Sequence, residues 1–260
     1  MSTWGPSKKR AAKQRSSSSR PGASGRSGGK GVGKGSGKAG DAPFTRFLVW
    51  NNKVTHVNLG ANDWGGIETW QGGPFYVFNN VVGNPLGPMH WSGKTFSHAY
   101  YLDGSFKNYH FNNIAWGRVA DSERKRESNV SAFQEIHSYQ NTFFNNTAYN
   151  FLKGSRRQKA EPGRDKFLGN VFSHIAETVF RHSDQEGQDP NVHHAGQQGE
   201  VFDHHTNAYA DNVMYQVGDV IANFEAGGGD YRDLAQLREA MARTKPLAGS
   251  VGVIAEEPPL

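Results

Sequence analysis

The residues of this sequence best suited to acid–base chemistry are four carboxylates between positions 63 and 135: Asp63, Glu68, Asp103 and Glu135. Two carboxyl groups can act together when one is protonated and donates a proton while the other is ionised and accepts one or attacks. We take Glu68 and Asp103 as the preferred pair. Because they are far apart in the sequence, the fold has to bring them together.

Aromatic residues accompany the carboxylates, and a flat aromatic ring with a wet rim suits a ring-shaped ligand such as a sugar. The candidate binding residues cluster between positions 64 and 101: Trp64, Trp70, His90, Trp91 and Tyr101. Aromatic side chains equally fill the core of a β-sheet protein. We expect this second role for Tyr100 and Trp116.

The elements that position these residues are marked by six short apolar and aromatic runs, each of which stops at an asparagine. The closing residues, at intervals of 28, 33, 33, 24 and 42, are Asn52, Asn80, Asn113, Asn146, Asn170 and Asn212. Short runs rich in Phe, Tyr, Val and Trp predict strands, and their recurrence predicts a stacked β repeat. Asparagine tolerates the left-handed backbone of a sharp bend. We therefore predict an asparagine ladder along the stack, in which these side chains bond to one another.

A meander of β-hairpins would also place asparagines at its turns. Hairpin turns favour Asn-Gly, whereas the residues that follow these asparagines are Lys53, Val81, Ile114, Thr147, Val171 and Val213. Apolar residues after the bend favour a strand that continues inward. The stacked repeat therefore remains the preferred interpretation.

Two segments carry a resemblance to a known family: Ile67-Glu-Thr-Trp-Gln-Gly-Gly-Pro-Phe-Tyr-Val-Phe-Asn-Asn80 and Tyr101-Leu-Asp-Gly-Ser-Phe-Lys-Asn-Tyr-His-Phe-Asn-Asn113. They resemble rungs of the right-handed parallel β-helix proteins, the pectate-lyase-like superfamily, over about residues 44 to 224. The resemblance implies an all-β fold, a partial right-handed parallel β-helix solenoid. That superfamily includes polysaccharide lyases, glycoside hydrolases, epimerases, esterases and phage tailspikes. It therefore implies a carbohydrate-active protein without fixing the reaction.

Superposing the repeats on their closing asparagines aligns three residues that lie twelve positions upstream: Glu68, Tyr101 and Gln134. Side chains alternate along a strand, so we expect these three to form one outward polar row. Asp103 and Glu135 lie one or two positions out of this register. The segment Trp64-Gly-Gly-Ile-Glu68 resembles an Asp-Asp-Gly-Ile-Glu rung of the family, with Trp64 and Gly65 in place of the two aspartates.

The resemblance implies that an extended polysaccharide binds along one face of the solenoid. Hydrolysis would use Glu68 and Asp103, because strands stacked about 4.8 Å apart hold carboxyl groups at a suitable distance. Elimination would use Lys107, Tyr101 or His137 as the base, with Ca²⁺ or the basic run at 156–159 to neutralise a uronate. We expect no other cofactor. The alternative is a non-catalytic structural or carbohydrate-binding β-helix fragment.

Charge divides the chain into unequal parts. Residues 1–40 contain ten Lys or Arg and no Asp or Glu, so the remainder holds 19 basic and 24 acidic residues. We predict a disordered basic Gly/Ser-rich tail at 1–43, a β-helix at 44–226, and a C-terminal helix and tail at 227–260. A basic tail can bind nucleic acid through phosphates. No folded recognition module follows it, so we favour a polysaccharide over nucleic acid as the partner.

The predicted helix lies at 230–243, where Leu234, Leu237 and Met241 recur at helical spacing. We expect this amphipathic helix to cover an end or an adjoining face of the solenoid, and residues 244–260, which include three prolines, to form an irregular tail.

The sequence contains no apolar run typical of a signal peptide and no membrane-spanning run. The sequence alone predicts a cytoplasmic protein, whereas the resemblance implies an extracellular or periplasmic one. We therefore interpret the chain as a fragment. We expect it to be a monomer. The absence of cysteine excludes disulfides and thiolate metal sites. Histidines between 182 and 205 predict a polar insertion loop, and we expect no metal site there.

Overall fold

The computed structural model describes residues 46–87, 95–117, 129–158, 164–183, 207–224, 229–242 and 251–257. All of them belong to one compact unit, Phe44–Leu260. The predicted tail at 1–43 lies outside the described residues. In chain order the strands are β1 (Phe47–Trp50), β2 (Lys53–Thr55), β3 (Trp64–Gly72), β4 (Phe75–Phe78), β5 (Val81–Gly83), β6 (Ser97–Ser105), β7 (Tyr109–Phe111), β8 (Ile114–Trp116), β9 (Ser131–Ile136), β10 (Thr142–Phe144), β11 (Thr147–Gln158), β12 (Lys166–Leu168), β13 (Val171–Ser183), β14 (Ala208–Ala210), β15 (Asn212–Val217), β16 (Val220–Phe224), β17 (Gly229–Tyr231) and β18 (Gly252–Ile254), and the helix is α1 (Leu234–Ala242).

The described chain is mostly β-sheet, with parallel strand pairing and a single short helix. One sheet has six strands in the order β1-β4-β7-β10-β12-β14, so each strand pairs with its equivalent from the next repeat. The larger sheet has twelve strands. Its run β2-β5-β8 continues into the first part of β11, and its run β3-β6-β9 continues into the second part. Among the described strands, only β16 and β17 pair antiparallel. This order is consistent with a solenoid-like fold.

Each of the first four bends is made by two adjacent asparagines with different tasks. The first one has the left-handed backbone, with φ of 57° at Asn51, 54° at Asn79, 53° at Asn112 and 52° at Asn145. Gly169 and Asp211 take the same place in the two later bends, with φ of 60° and 54°. The second asparagine of each pair is then free to turn its side chain into the stack.

The predicted asparagine ladder is confirmed. The Asn113 Oδ1 accepts from the Asn80 backbone N–H at 3.0 Å and from the Asn80 Nδ2 at 3.1 Å. The Asn113 Nδ2 in turn donates to the Asn146 Oδ1 at 3.0 Å and to the Val77 carbonyl at 2.8 Å. The same side-chain bonds continue through every predicted position: Asn52, Asn80, Asn113, Asn146, Asn170 and Asn212.

A second ladder runs along another corner of the repeat, where we predicted none. The Asn108 Nδ2 donates to the Asn141 Oδ1 at 3.0 Å, and the Asn141 backbone N–H donates to the Asp165 Oδ1 at 2.6 Å. The Asp165 N–H then donates to the Asn207 Oδ1 at 3.0 Å. Asp165 differs from the other members because its second oxygen pairs with the buried Arg157.

The interior is filled by inward side chains that stack from repeat to repeat. Phe143 and Phe167, for example, are fully buried with ring centroids 4.8 Å apart. Helix α1 contributes Leu237 and Met241 to this core, which confirms an amphipathic helix. Its predicted start at residue 230 is wrong, because Gly229–Tyr231 form β17. The irregular tail predicted after the helix is wrong at one place. Gly252–Ile254 form β18, which pairs with β15, because three residues between turns give too short a pattern to identify.

Removing one ladder side chain should measurably destabilise the protein. Asn113→Ala deletes an acceptor and a donor and leaves buried partners unsatisfied, so we expect a loss of about 1 to 3 kcal/mol in the free energy of unfolding. Denaturant titration measures it. Lys53→Ala, at an exposed strand position, is the control and should stay within about 0.5 kcal/mol. Equal stability of the two variants would contradict a stabilising ladder.

Candidate active site on the outer face of the large sheet

One outward row of side chains crosses five paired strands of the large sheet. Ile67, Tyr100 and Phe133 are buried in the core, so the residue that follows each of them points to the opposite side of the sheet. The strand register aligns that row from β3 to β13 as Glu68, Tyr101, Gln134, Arg156 and Arg181. The predicted alignment of its first three members is confirmed.

The first part of this row is acidic. Glu68 and Asp103 are half-buried, and Asp63 is exposed. The Tyr101 hydroxyl donates to the Asp63 Oδ1 at 3.4 Å, and the Gly65 backbone N–H donates to the Glu68 Oε2 at 3.4 Å. Asp103 lies on β6, next to β3, two positions beyond the residue paired with Glu68. We name Asp63, Glu68 and Asp103 the acidic cluster.

Burial and mutual repulsion shift the acidity of two of these carboxyl groups. Burial raises the pKa of Glu68, the Gly65 N–H opposes that change, and the charges on Asp103 and Asp63 add to it. Burial and the Asp63 charge raise the pKa of Asp103. A carboxyl group with a raised pKa keeps its proton at higher pH than usual, which suits a general acid.

Two exposed tryptophans lie beside the acidic cluster. Trp70 pairs with Asp103 across β3 and β6 and is 65% exposed, while Trp64 begins β3 and is 51% exposed. Large exposed apolar side chains contribute to a ligand surface where they form a contiguous patch. Trp64 and Trp70 therefore remain predicted substrate-binding residues.

The chain matches no family model, no curated protein and no solved structure. Its function therefore has to be argued from the geometry of this face. None of the helices in the described part of the chain is long and apolar enough to cross a membrane. Within the same residues, no group of three or more His, Asp and Glu side chains is placed to hold a metal ion.

The next part of the row is basic. The Arg156 Nη1 donates to the Gln134 Oε1 at 2.8 Å, and its guanidinium lies 5.9 Å from the centroid of the Phe96 ring. Burial lowers the pKa of Arg156 to about 10, still well above neutral pH, so the group stays charged. Lys153 pairs with Glu177 at 2.8 Å. The row thus changes from negative to positive charge along the stack.

Tyr101 and Gln134, which lie between these parts, are covered, although we predicted an open polar face. Tyr101 is 3% exposed, and its ring lies 5.4 Å from that of the fully buried His98. Burial raises the pKa of the Tyr101 hydroxyl, and the neighbouring carboxylates add to the effect. Burial, with the charges of Arg156 and Lys153, lowers the pKa of His98. Tyr101 is therefore placed to orient Asp63 and is too enclosed to serve as an open sugar platform.

The other predicted site residues have different positions, and one of them is not part of the outer face. Glu135 lies in the interior, fully buried, where its Oε1 accepts from the Asn141 Nδ2 at 2.9 Å. Burial raises the pKa of Glu135, although Arg157 and Asn141 oppose that change. Lys107 lies exposed in the left-handed turn after β6. His90 and Trp91 lie outside the described residues.

Sequence reasoning named the basic run at 156–159 but missed, for a specific reason, that Arg156 continues this row. Arg156 lies fourteen positions before its closing Asn170, whereas Gln134 lies twelve before Asn146. A superposition at twelve positions therefore selects Gln158 in place of Arg156. The pairing of Gln134 with Arg156 became visible only from the strand register.

Proposed function

We propose that this chain is a right-handed parallel β-helix that binds an extended polysaccharide along the outer face of the large sheet and hydrolyses it at the acidic cluster. The parallel strand order and the continuous asparagine ladder support the fold. One observation carries the function: two half-buried carboxyl groups with raised pKa, Glu68 and Asp103, lie on neighbouring strands beside the exposed Trp64 and Trp70.

The placement of Glu68 and Asp103 fits glycoside hydrolysis. Glu68 and Asp103 lie on adjacent strands and are two residues apart in register, which places their Cα atoms roughly 8 Å apart. At that separation the side chains can hold their carboxyl groups in the range of about 5 to 10 Å that glycosidases use. Burial and two neighbouring carboxylates raise the pKa of Glu68, which favours Glu68 as the protonated partner. The ionised partner is then Asp103.

In this mechanism the Glu68 carboxylic acid donates its proton to the glycosidic oxygen as the bond to the anomeric carbon breaks. Asp103 accepts a proton from the water that attacks that carbon, so one water is consumed for each bond cleaved. Return of the proton from Asp103 to Glu68 restores the starting state. Trp64 and Trp70 hold the sugar rings through their apolar faces, and Tyr101 positions Asp63 nearby.

A screen of purified protein against pectic, alginate, xylan and glycosaminoglycan substrates tests the proposal. We expect new reducing ends from at least one polymer, without the ultraviolet absorbance of an unsaturated product. Ultraviolet absorbance of the products would show that the reaction is elimination and not hydrolysis. Retention of a polymer without any product would establish the alternative, a non-catalytic carbohydrate-binding β-helix. If no polymer gives a product and none retains the protein, the proposed polysaccharide function is wrong.

A further inference from the structure

The six-stranded sheet carries an aromatic outer surface that the proposed active site does not use. The middle residues of its strands, such as Val77 and Phe143, are fully buried, so the residues on either side of them point outward. The strand register aligns these outward residues into two rows, which together we call the aromatic face: Leu48, Tyr76 and Tyr109 in one row, and Trp50, Phe78, Phe111, Phe144 and Leu168 in the other. Trp50 is 49% exposed and Tyr109 39% exposed.

The rings of the aromatic face stack on one another along the sheet. The centroid distances are 6.2 Å from Trp50 to Phe78, 4.9 Å from Phe78 to Phe111 and 4.8 Å from Phe111 to Phe144, with interplanar angles of 7°, 3° and 8°. Because the ring faces cover each other, the edges point to solvent. The edge of an aromatic ring is electropositive, so it attracts oxygen atoms.

A row of exposed amides runs beside these rings. The first asparagine of each of four bends directly follows one ring of the longer aromatic row: Asn51, Asn79, Asn112 and Asn145. An amide both donates and accepts hydrogen bonds. Each repeat therefore presents one apolar edge and one amide, and the pair recurs at the strand spacing of about 4.8 Å. A ligand that suits this pattern has oxygen atoms and hydroxyl groups repeated along its length.

The size and charge of the aromatic face limit what can occupy it. Five strands and two outward residues on each give a strip of about 19 Å by 10 Å, on the order of 200 Å². A stable protein partner needs about 800 Å² on each side. Lys166 is the one charged side chain at the outward positions of these described strands. We propose that the aromatic face is a second binding surface, which holds a single chain of an uncharged polysaccharide, away from the charged outer row of the large sheet.

Sedimentation with insoluble polysaccharides tests this proposal. The full chain is incubated with microcrystalline cellulose, chitin or insoluble xylan, and the protein left in solution is measured. We expect retention on at least one of the three. Phe111→Thr combined with Phe144→Thr should weaken it at least tenfold, because two ring edges are lost while the β-branched replacements keep the strands. The matched control, Ile114→Thr with Tyr149→Thr, changes two exposed apolar residues of the large sheet and should stay within twofold.

Further variants separate the aromatic face from the fold and from the active site. Asn112→Gly with Asn145→Gly keeps the left-handed backbone and removes two amides, so retention should fall three- to tenfold even if the ring variant proves unstable. Trp64→Ala with Trp70→Ala changes the proposed active site instead, and a loss of retention in this variant as large as that in the ring variant would overturn the proposal. Absence of retention by the full chain, or an equal loss in the control, would overturn the proposal. So would a dimer in analytical ultracentrifugation that the ring variant abolishes, since a second copy would then cover the aromatic face.

Discussion

Glu68→Gln and Asp103→Asn should each lower the turnover of a responsive polysaccharide by about a hundredfold or more. Acid–base assistance alone contributes about 10² to 10⁴ in rate, and neither amide can donate or accept the required proton. Both side chains are half-buried at the sheet surface, so the variants should fold. Reducing-end assays at saturating substrate measure the loss, with circular dichroism as the check on folding. Lys107→Ala, which changes an exposed turn, is the control and should keep its activity.

The pH dependence of the same reaction gives a second readout. Activity requires the protonated form of Glu68, so turnover should fall as pH rises through the raised pKa of that group. The Asp103 charge contributes to the raised pKa of Glu68, so Asp103→Asn should move this alkaline limb of the residual activity to lower pH. Full turnover in both variants, or loss of activity confined to Lys107→Ala, would contradict the assignment of roles.

Arg157→Leu should cost about 3 to 5 kcal/mol in the free energy of unfolding. Arg157 is fully buried, pairs with Asp165, and lies in register with Glu135, which is also fully buried. Breaking a buried ion pair from one side leaves an uncompensated charge in the core, which is far more costly than the loss of an exposed pair. Denaturant titration at neutral pH measures the change.

A double variant separates the charge from the volume of the arginine. Arg157→Leu with Asp165→Asn removes both charges of the pair and gives the second ladder an asparagine like those at 108, 141 and 207. We expect it to recover at least half of the stability lost in the single variant. If the double variant is as unstable as the single one, the Asp165 pair is not what stabilises this region, and packing around the arginine side chain or its compensation of Glu135 does.

The parts of the fold that sequence could predict are those in which one residue type has a constant place in every repeat. Paired asparagines satisfy this condition, because the left-handed bend and the ladder each demand a specific side chain. The row through Glu68, Tyr101 and Gln134 was also predictable, since two successive intervals are both 33 residues. The continuation of the row to Arg156 was not predictable, because the segment between the row position and the closing asparagine is two residues longer in the next repeat.

The interior charges escaped prediction for a different reason. Glu135 follows Gln134 directly, and a pattern of alternating side chains turns such a neighbour to the opposite side of the sheet. Sequence reasoning kept Glu135 as a site candidate, because it lies out of register and near a bend, where the superposed repeats predict the side-chain direction least well. The compensating Arg157 and Asn141 come from other strands, so only the strand register reveals that this carboxylate has partners in the core. The second ladder was missed because its members lack the asparagine doublet.

The asparagine ladder has a direction, which bears on how repeats can be added to or removed from the chain. From Asn80 to Asn212 each Oδ1 accepts from the asparagine of the repeat before, and the Asn212 Nδ2 donates to the Val251 carbonyl at 3.0 Å. In the first described repeat, the Asn52 Nδ2 donates to the Asn80 Oδ1 at 2.9 Å and to the Trp50 carbonyl at 3.1 Å. A duplicated repeat in the same orientation therefore continues the ladder without any other change, whereas a repeat that lacks the asparagine leaves groups of both neighbouring repeats unpaired.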